Sequence, residues 1–181
     1  MYFGSGGGTI VHWNGSSAHV VYTSPNIVQV KDMKGYASDF IISVGTGMIP
    51  PLLAVKYNGI SWNQLPISSN LSLNSVSVVN RNYILFAGDG VFEMKRNIFS
   101  QIYLPIYYIW SIYYHKQTGV TVVTGAYDGI YINNGIEWAN YNGQISNDET
   151  TFSGTIVINK TIFCVGYTTI NNSAKIIIGK N

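Results

Sequence analysis

Asp89 and Asp128 are the two acids of this chain that share a setting, each standing directly before a glycine where a short apolar run stops. Glycoside hydrolysis needs two carboxylates facing each other across a cleft, one acting as acid and the other as base or nucleophile. Asp-Gly is also ordinary turn chemistry, because glycine accepts positive φ and a short acid caps its own turn, so the pair reads first as two turns. The remaining acids, Asp32, Asp39, Glu93, Glu137, Asp148 and Glu149, have no such correspondence. His12, His19 and His115 share no ligand-like spacing. His12 and His19 fall on the two arms of one hairpin, but two imidazoles without a third ligand make a poor metal site. Asp89 and Asp128 could together touch a calcium ion, yet no acidic calcium loop accompanies them. Gly4-Ser5-Gly6-Gly7-Gly8 follows a strand and opens no helix, which excludes a dinucleotide fingerprint. No cofactor and no metal are expected.

The segment Tyr103 to Tyr114 is the most unusual local composition, with Tyr107, Tyr108, Trp110, Tyr113 and Tyr114 crowded into it. Such rings combine apolar area with a polar tip and suit the surface that meets a protein or a sugar. Alternate rings filling the space between layers is the plainer account. Tyr107, Tyr108, Trp110 and Tyr113, with Asp89 and Asp128, are therefore the candidate binding residues, and no catalytic residue is assigned.

Charge sets further limits. Ten Lys and Arg against eight Asp and Glu leave a net charge of +2, and Lys95-Arg96 is the longest basic run. A nucleic-acid binder clusters cations on one face, so nucleic acid is not an expected partner. With only 10% charged residues, solubility rests on Asn, Ser, Thr and Tyr, which points to work outside the cell or on the surface of a cell or virion. Met1 to Gly8 has neither a basic start nor an apolar core and reads as no secretory signal. The longest apolar stretch, Ile102 to Tyr114, is broken by Pro105 and falls short of the roughly 20 residues of a membrane-spanning helix. Cys164, the one cysteine, lies inside an apolar run and reads as a small buried hydrophobe.

The elements that must position these groups are short strands. Apolar runs end at Gly4, Gly45, Gly88, Gly125 and Gly166, roughly 40 residues apart, and self-similarity at that period signals a repeat architecture. Ser75 stands as far before Gly88 as Ser153 does before Gly166. Counted from these glycines, the units run 1–40, 41–83, 84–120, 121–161 and a partial 162–181 within one repeat domain. Asn14-Gly15, Asn58-Gly59 and Asn134-Gly135 each lie between apolar, β-branched runs. That is the pattern of a hairpin whose type I′ turn needs positive φ at both central residues. Arg96-Asn97 stands where the third unit should have Asn-Gly, and no stretch shows a sustained helical period.

A unit of about 40 residues with four short strands is the size of one β-propeller blade. One blade cannot bury both faces, so blades come in series. The hairpins Val55 to Trp62 and Tyr131 to Trp138, with Trp three residues after Gly59 and Gly135, resemble those of Asp-box (BNR) propellers, a group that includes sialidases and sortilin-type receptors. The Asp position of that motif holds Tyr57 and Asn133 here. Kelch propellers are a second relative by pattern. A sialidase, as the resemblance implies, clamps a carboxylate with three arginines. This chain has two, Arg81 and Arg96, which excludes that activity.

The expectation is an all-β propeller of four to five blades, built of four-stranded antiparallel units. It is expected to act as a non-enzymatic recognition or structural module with a protein or glycan partner; a further alternative is an assembly subunit whose open blade edge pairs with another chain. The alternative is a glycan-active enzyme or lectin that uses Asp89 and Asp128, for which a blade's first strand would carry both acids towards a central channel.

Overall fold

The computed structural model describes residues 1–24, 27–47, 53–67, 72–106, 108–127, 129–141, 144 and 149–180. Among these residues eighteen strands form five successive sheets. The first holds β1 (Tyr2–Gly4), β2 (Thr9–Trp13) and β3 (Ala18–Thr23). The second holds β4 (Ile27–Ala37), β5 (Phe40–Gly47), β6 (Leu53–Tyr57) and β7 (Trp62–Gln64). In the third are β8 (Leu73–Asn80), β9 (Tyr83–Gly88), β10 (Val91–Lys95) and β11 (Ile98–Ile102). The fourth contains β12 (Ile109–His115), β13 (Val120–Gly125), β14 (Ile130–Asn133) and β15 (Trp138–Asn140). The fifth is β16 (Thr150–Ile158), β17 (Thr161–Thr168) and β18 (Ala174–Lys180). Within each sheet the order of pairing follows the chain, as short turns between antiparallel strands dictate. No α-helix occurs among the described residues.

The recurring glycines have a steric cause. Gly45 pairs with Val30, Gly125 with Ile109 and Gly166 with Phe152, and in each case the partner strand bulges at the next residue. The bulge lifts the preceding carbonyl towards the glycine, so a Cβ on Gly45 or Gly166 would collide with the oxygen of Gln29 or Thr151. A Cβ on Gly125 would stand 2.8 Å from the oxygen of Tyr108. Gly4 is out of step with them, because its missing Cβ makes room for the Val30 side chain of the second sheet.

Two expectations need correction. The Asn-Gly hairpins are four-residue turns, with positive φ at the glycine only. Each asparagine caps its turn: Asn58 Oδ1 accepts from the backbone N–H groups of Ile60 and Ser61 at 3.0 and 2.9 Å. Asn14 and Asn134 do the same for Ser16 and Ser17 and for Ile136 and Glu137. The two-residue turn with positive φ at both positions is the one at Arg96-Asn97. Sheet boundaries also fall one strand earlier than the glycine count places them. The strands that carry Gly45, Gly88, Gly125 and Gly166, namely β5, β9, β13 and β17, are second in their sheets, so neither Asp89 nor Asp128 follows a first strand. In the second, fourth and fifth sheets the first strand carries the bulge, whose residues vary in type, and its partner is the strand held to glycine.

The chain divides into two compact units, Met1–Phe86 with Glu93–Ser100 and Ala87–Phe92 with Gln101–Asn181. In the first unit Ile42, Val44, Ala54, Leu73 and Val76 are fully buried where the second sheet meets the third. Asp32 on β4 is tied to β8 there, its Oδ2 accepting from Ser75 Oγ at 2.8 Å and from the Val76 N–H at 3.0 Å. The core of the second unit joins Val120, Val122 and Ile130 of the fourth sheet to Phe152, Val157, Ile162 and Cys164 of the fifth. No helix among the described residues is long and apolar enough to cross a membrane.

Candidate interaction surface

Tyr108 and Trp110 stand at the bulge that opens β12. Ile109 pairs with Gly125 and Ser111 with Thr124, which leaves Trp110 as the extra residue, turned outward. Lys31 and Ser153 hold the same bulge position in their sheets, and both are exposed. Tyr108 is 64% exposed and lies in the left-handed region at φ 49°. Its carbonyl accepts the Ala126 N–H at 3.2 Å, which brings it beside Tyr127, itself 65% exposed with φ 56°. Three exposed aromatic residues, Tyr108, Trp110 and Tyr127, thus lie within two residues of the Tyr108–Ala126 backbone hydrogen bond.

The base of this turn is closely packed. Ile106 is buried against it, and a Cβ on Gly129 would stand 2.7 Å from Ile106 Cδ1, so the Asp-Gly pair at this point owes its glycine to close packing. Tyr131 Oη donates to the Pro105 carbonyl at 3.3 Å from below, and burial pushes the Tyr131 hydroxyl above its ordinary pKa. Tyr113, three residues further along β12, packs against the core of the unit and is only partly buried. The segment is thereby divided, with Tyr108 and Trp110 facing solvent and Tyr113 filling space.

Asp89 is exposed in the two-residue link between β9 and β10, where the Gly88 N–H donates to the Gly90 carbonyl at 3.0 Å. Tyr107 and Asp128 lie outside the described residues, and so does the approach of Asp89 to Asp128. His12 and His19 do pair across β2 and β3, but His12 stacks on Tyr2 at 4.5 Å and His19 meets Ser17 Oγ at 2.7 Å. Among the described residues no group of three His, Cys, Asp or Glu could hold a metal ion. Two features escaped sequence reasoning. Tyr127 sits alone in sequence, and its neighbourhood to Tyr108 exists only through strand pairing. Asp32 has no local signal for its partners on β8.

No family model and no curated protein sequence matches the chain. Solved structures do. The WD40 β-propeller domain of Doa1 is similar over 99% of this chain, with a TM-score of 0.73 and 13% identity. The fold is a β-propeller. Saccharomyces cerevisiae Sqt1 is similar over 98% of the chain, with a TM-score of 0.63 and 12% identity. The propeller spans 60% of the Doa1 chain and 57% of the Sqt1 chain.

Proposed function

We propose that this propeller is a non-enzymatic protein-interaction module and that Tyr108, Trp110 and Tyr127 form part of its binding surface. The observation that carries the proposal is the pair of exposed tyrosines held at positive φ around one turn. L residues other than Asn and Asp rarely adopt that conformation, and where they do it suggests a surface shaped for contact. A rigid sheet bearing large rings with few rotatable bonds suits recognition, since little side-chain freedom is lost on binding. Work at a cell or virion surface is part of the proposal and is supported by the weakly charged, Asn- and Ser-rich composition. Kinship with Asp-box repeats is likewise proposed, on the Asn-Gly-x-x-Trp hairpins ending at Trp62 and Trp138.

The test is partner capture with wild-type protein and with Tyr108→Ala and Trp110→Ala, followed by affinity measurement on any captured protein. Loss of at least about tenfold in affinity, about 1.4 kcal/mol, with an unchanged melting profile supports the surface. Equal binding by all three proteins removes it.

A further inference from the structure

The first and last sheets each leave one face uncovered, and the two faces are opposite halves of a packing relation that repeats inside the chain. In the fifth sheet, strand register places Ile156, Val165 and Tyr167 on the same face as Ile176 and Ile178, and all five are exposed. Gly125 and Gly166 are equivalent, which makes Ile176 the counterpart of Ile130: Ile130 pairs with Thr124 and Ile176 with Val165. Ile130 is 2% exposed beneath the fifth sheet, whereas Ile176 is 66% exposed. The outer face of the fifth sheet is thus the kind of face that elsewhere packs on a following sheet.

The first sheet shows the converse. Its capped turn at Asn14 corresponds to the turn at Asn58, which aligns Phe3 with Ser43, Val11 with Val55 and Trp13 with Tyr57. Ser43 is 0% exposed and Tyr57 packs on Tyr2 of the preceding sheet at 5.6 Å, but Phe3 is 49% exposed and Trp13 and Val20 are exposed with it. This face is therefore the kind that packs on a preceding sheet.

We infer that the two faces bind each other between copies, the outer face of the fifth sheet of one chain packing head to tail on the outer face of the first sheet of another. The occupant is a second copy because the chain itself carries both members of the pairing, and the interface between the fourth and fifth sheets shows the chemistry by which they fit. A contiguous apolar face of a few hundred Å² is often functional. Three strands about 4.8 Å apart and about seven residues long give a face of roughly 14 by 23 Å. One such contact falls short of the ~800 Å² per partner of a standard interface, so a single contact is weak and concentration-dependent. A closed head-to-tail assembly uses both faces of every copy.

Sedimentation velocity on the full chain tests this with two charged pairs, Ile176→Lys with Ile178→Lys and Phe3→Lys with Val20→Lys. Wild type should associate as concentration rises, and each variant alone should be monomeric. An equimolar mixture of the two should give a one-to-one dimer and nothing larger, because each variant retains one sound face. Wild type that stays monomeric at every concentration overturns the proposal and leaves these faces to some other covering. Association lost only in the Ile176 and Ile178 variant overturns it in favour of two fifth sheets meeting face to face. Association retained by either variant also overturns it. Should a lysine pair fail to melt cooperatively, the corresponding threonine pair, which keeps β-propensity, decides. Tyr108→Ala should leave self-association unchanged, which separates this result from the partner test above.

Discussion

The carboxylate of Asp32 on β4 and the hydroxyl of Ser75 on β8 form a 2.8 Å hydrogen bond between two neighbouring sheets. The same carboxylate accepts from the backbone N–H of Val76 at 3.0 Å and of Met33 at 2.8 Å, and from Lys34 Nζ at 3.1 Å. Removing this largely buried acid withdraws the acceptor from four donors. Asp32→Ala should therefore lower unfolding free energy by about 3 kcal/mol, and Asp32→Asn by less, since an amide oxygen still accepts from β8. Urea denaturation of the two variants measures the difference. Equal, small losses would show that the sheets are held by apolar packing alone.

The repeated glycines offer a second stability test. Gly45→Ala and Gly166→Ala each drive a methyl group into a carbonyl oxygen on the bulged strand, and a backbone atom cannot swing aside. A loss of about 3 kcal/mol or more is expected for each. Gly6 has open space where a Cβ would sit, and its φ lies outside the positive region. Gly6→Ala should change the thermal midpoint little, and a comparable fall there would mean that the carbonyl contact is not what selects glycine.

These glycines explain why so much of the fold was legible. A close approach that only glycine tolerates leaves a mark in sequence, and the period, the strands and the short turns all followed from it. The phase did not follow, because the bulged first strand of the second, fourth and fifth sheets has no fixed residue type: Lys31, Trp110 and Ser153 share one bulge position. Asn-Gly was legible as a turn but not as which turn, since asparagine serves equally as a positive-φ residue and as a side-chain cap. Burial was the least legible property. Ile130 and Ile176 are the same residue in the same place, and only what lies over them differs. The candidate site was half visible, as Tyr108 and Trp110 are adjacent in sequence while Tyr127 joins them through pairing.

Cys164 reports on the fifth sheet. It is buried, with Thr155 Oγ1 at 3.6 Å from its sulfur, and burial pushes its thiol above the ordinary value. With the folded pKa raised, the unfolded chain releases the thiol proton first, so stability is whole below about pH 9 and declines as pH climbs through the folded value. Native protein should react with an aromatic disulfide reagent far more slowly than protein in urea, at the rate at which the sheet opens. Rapid, complete labelling of native protein would show that β16–β18 opens freely.

Asp39 and Arg81 form an ion pair of 2.6 Å beside the Phe40 ring, over which Arg81 lies 5.5 Å from the centroid. The hydrogen bond from Arg81, with its charge in support, holds the Asp39 carboxyl below its ordinary value of 3.8. With the folded pKa depressed, the unfolded chain takes up the proton first as pH falls. The contribution of the pair is therefore whole above that ordinary value and is lost as pH falls through the folded value. Both side chains are half exposed, so the effect is small and weakened by salt. The urea midpoints of wild type and Asp39→Asn should differ at about pH 6 and converge once pH has fallen below the depressed folded value. A gap that persists in acid would assign the effect to packing on Phe40.

Tyr108 and Tyr127 decide whether the exposed rings serve the fold or a partner. A non-glycine residue in the left-handed region costs about 1–2 kcal/mol, while glycine there costs about 0.5–1 kcal/mol in unfolded-state entropy. Tyr108→Gly should therefore leave stability unchanged or raise it by about 0.5–1 kcal/mol. Tyr113→Ala, on the same strand but packed on the core, should lower it by about 2 kcal/mol. Differential scanning calorimetry of both variants gives the contrast. Unchanged or raised stability in Tyr108→Gly is the outcome expected if the ring serves the proposed contact surface rather than the fold. Marked destabilisation by Tyr108→Gly would instead show that the ring supports the bulge, and the proposed surface would lose its footing.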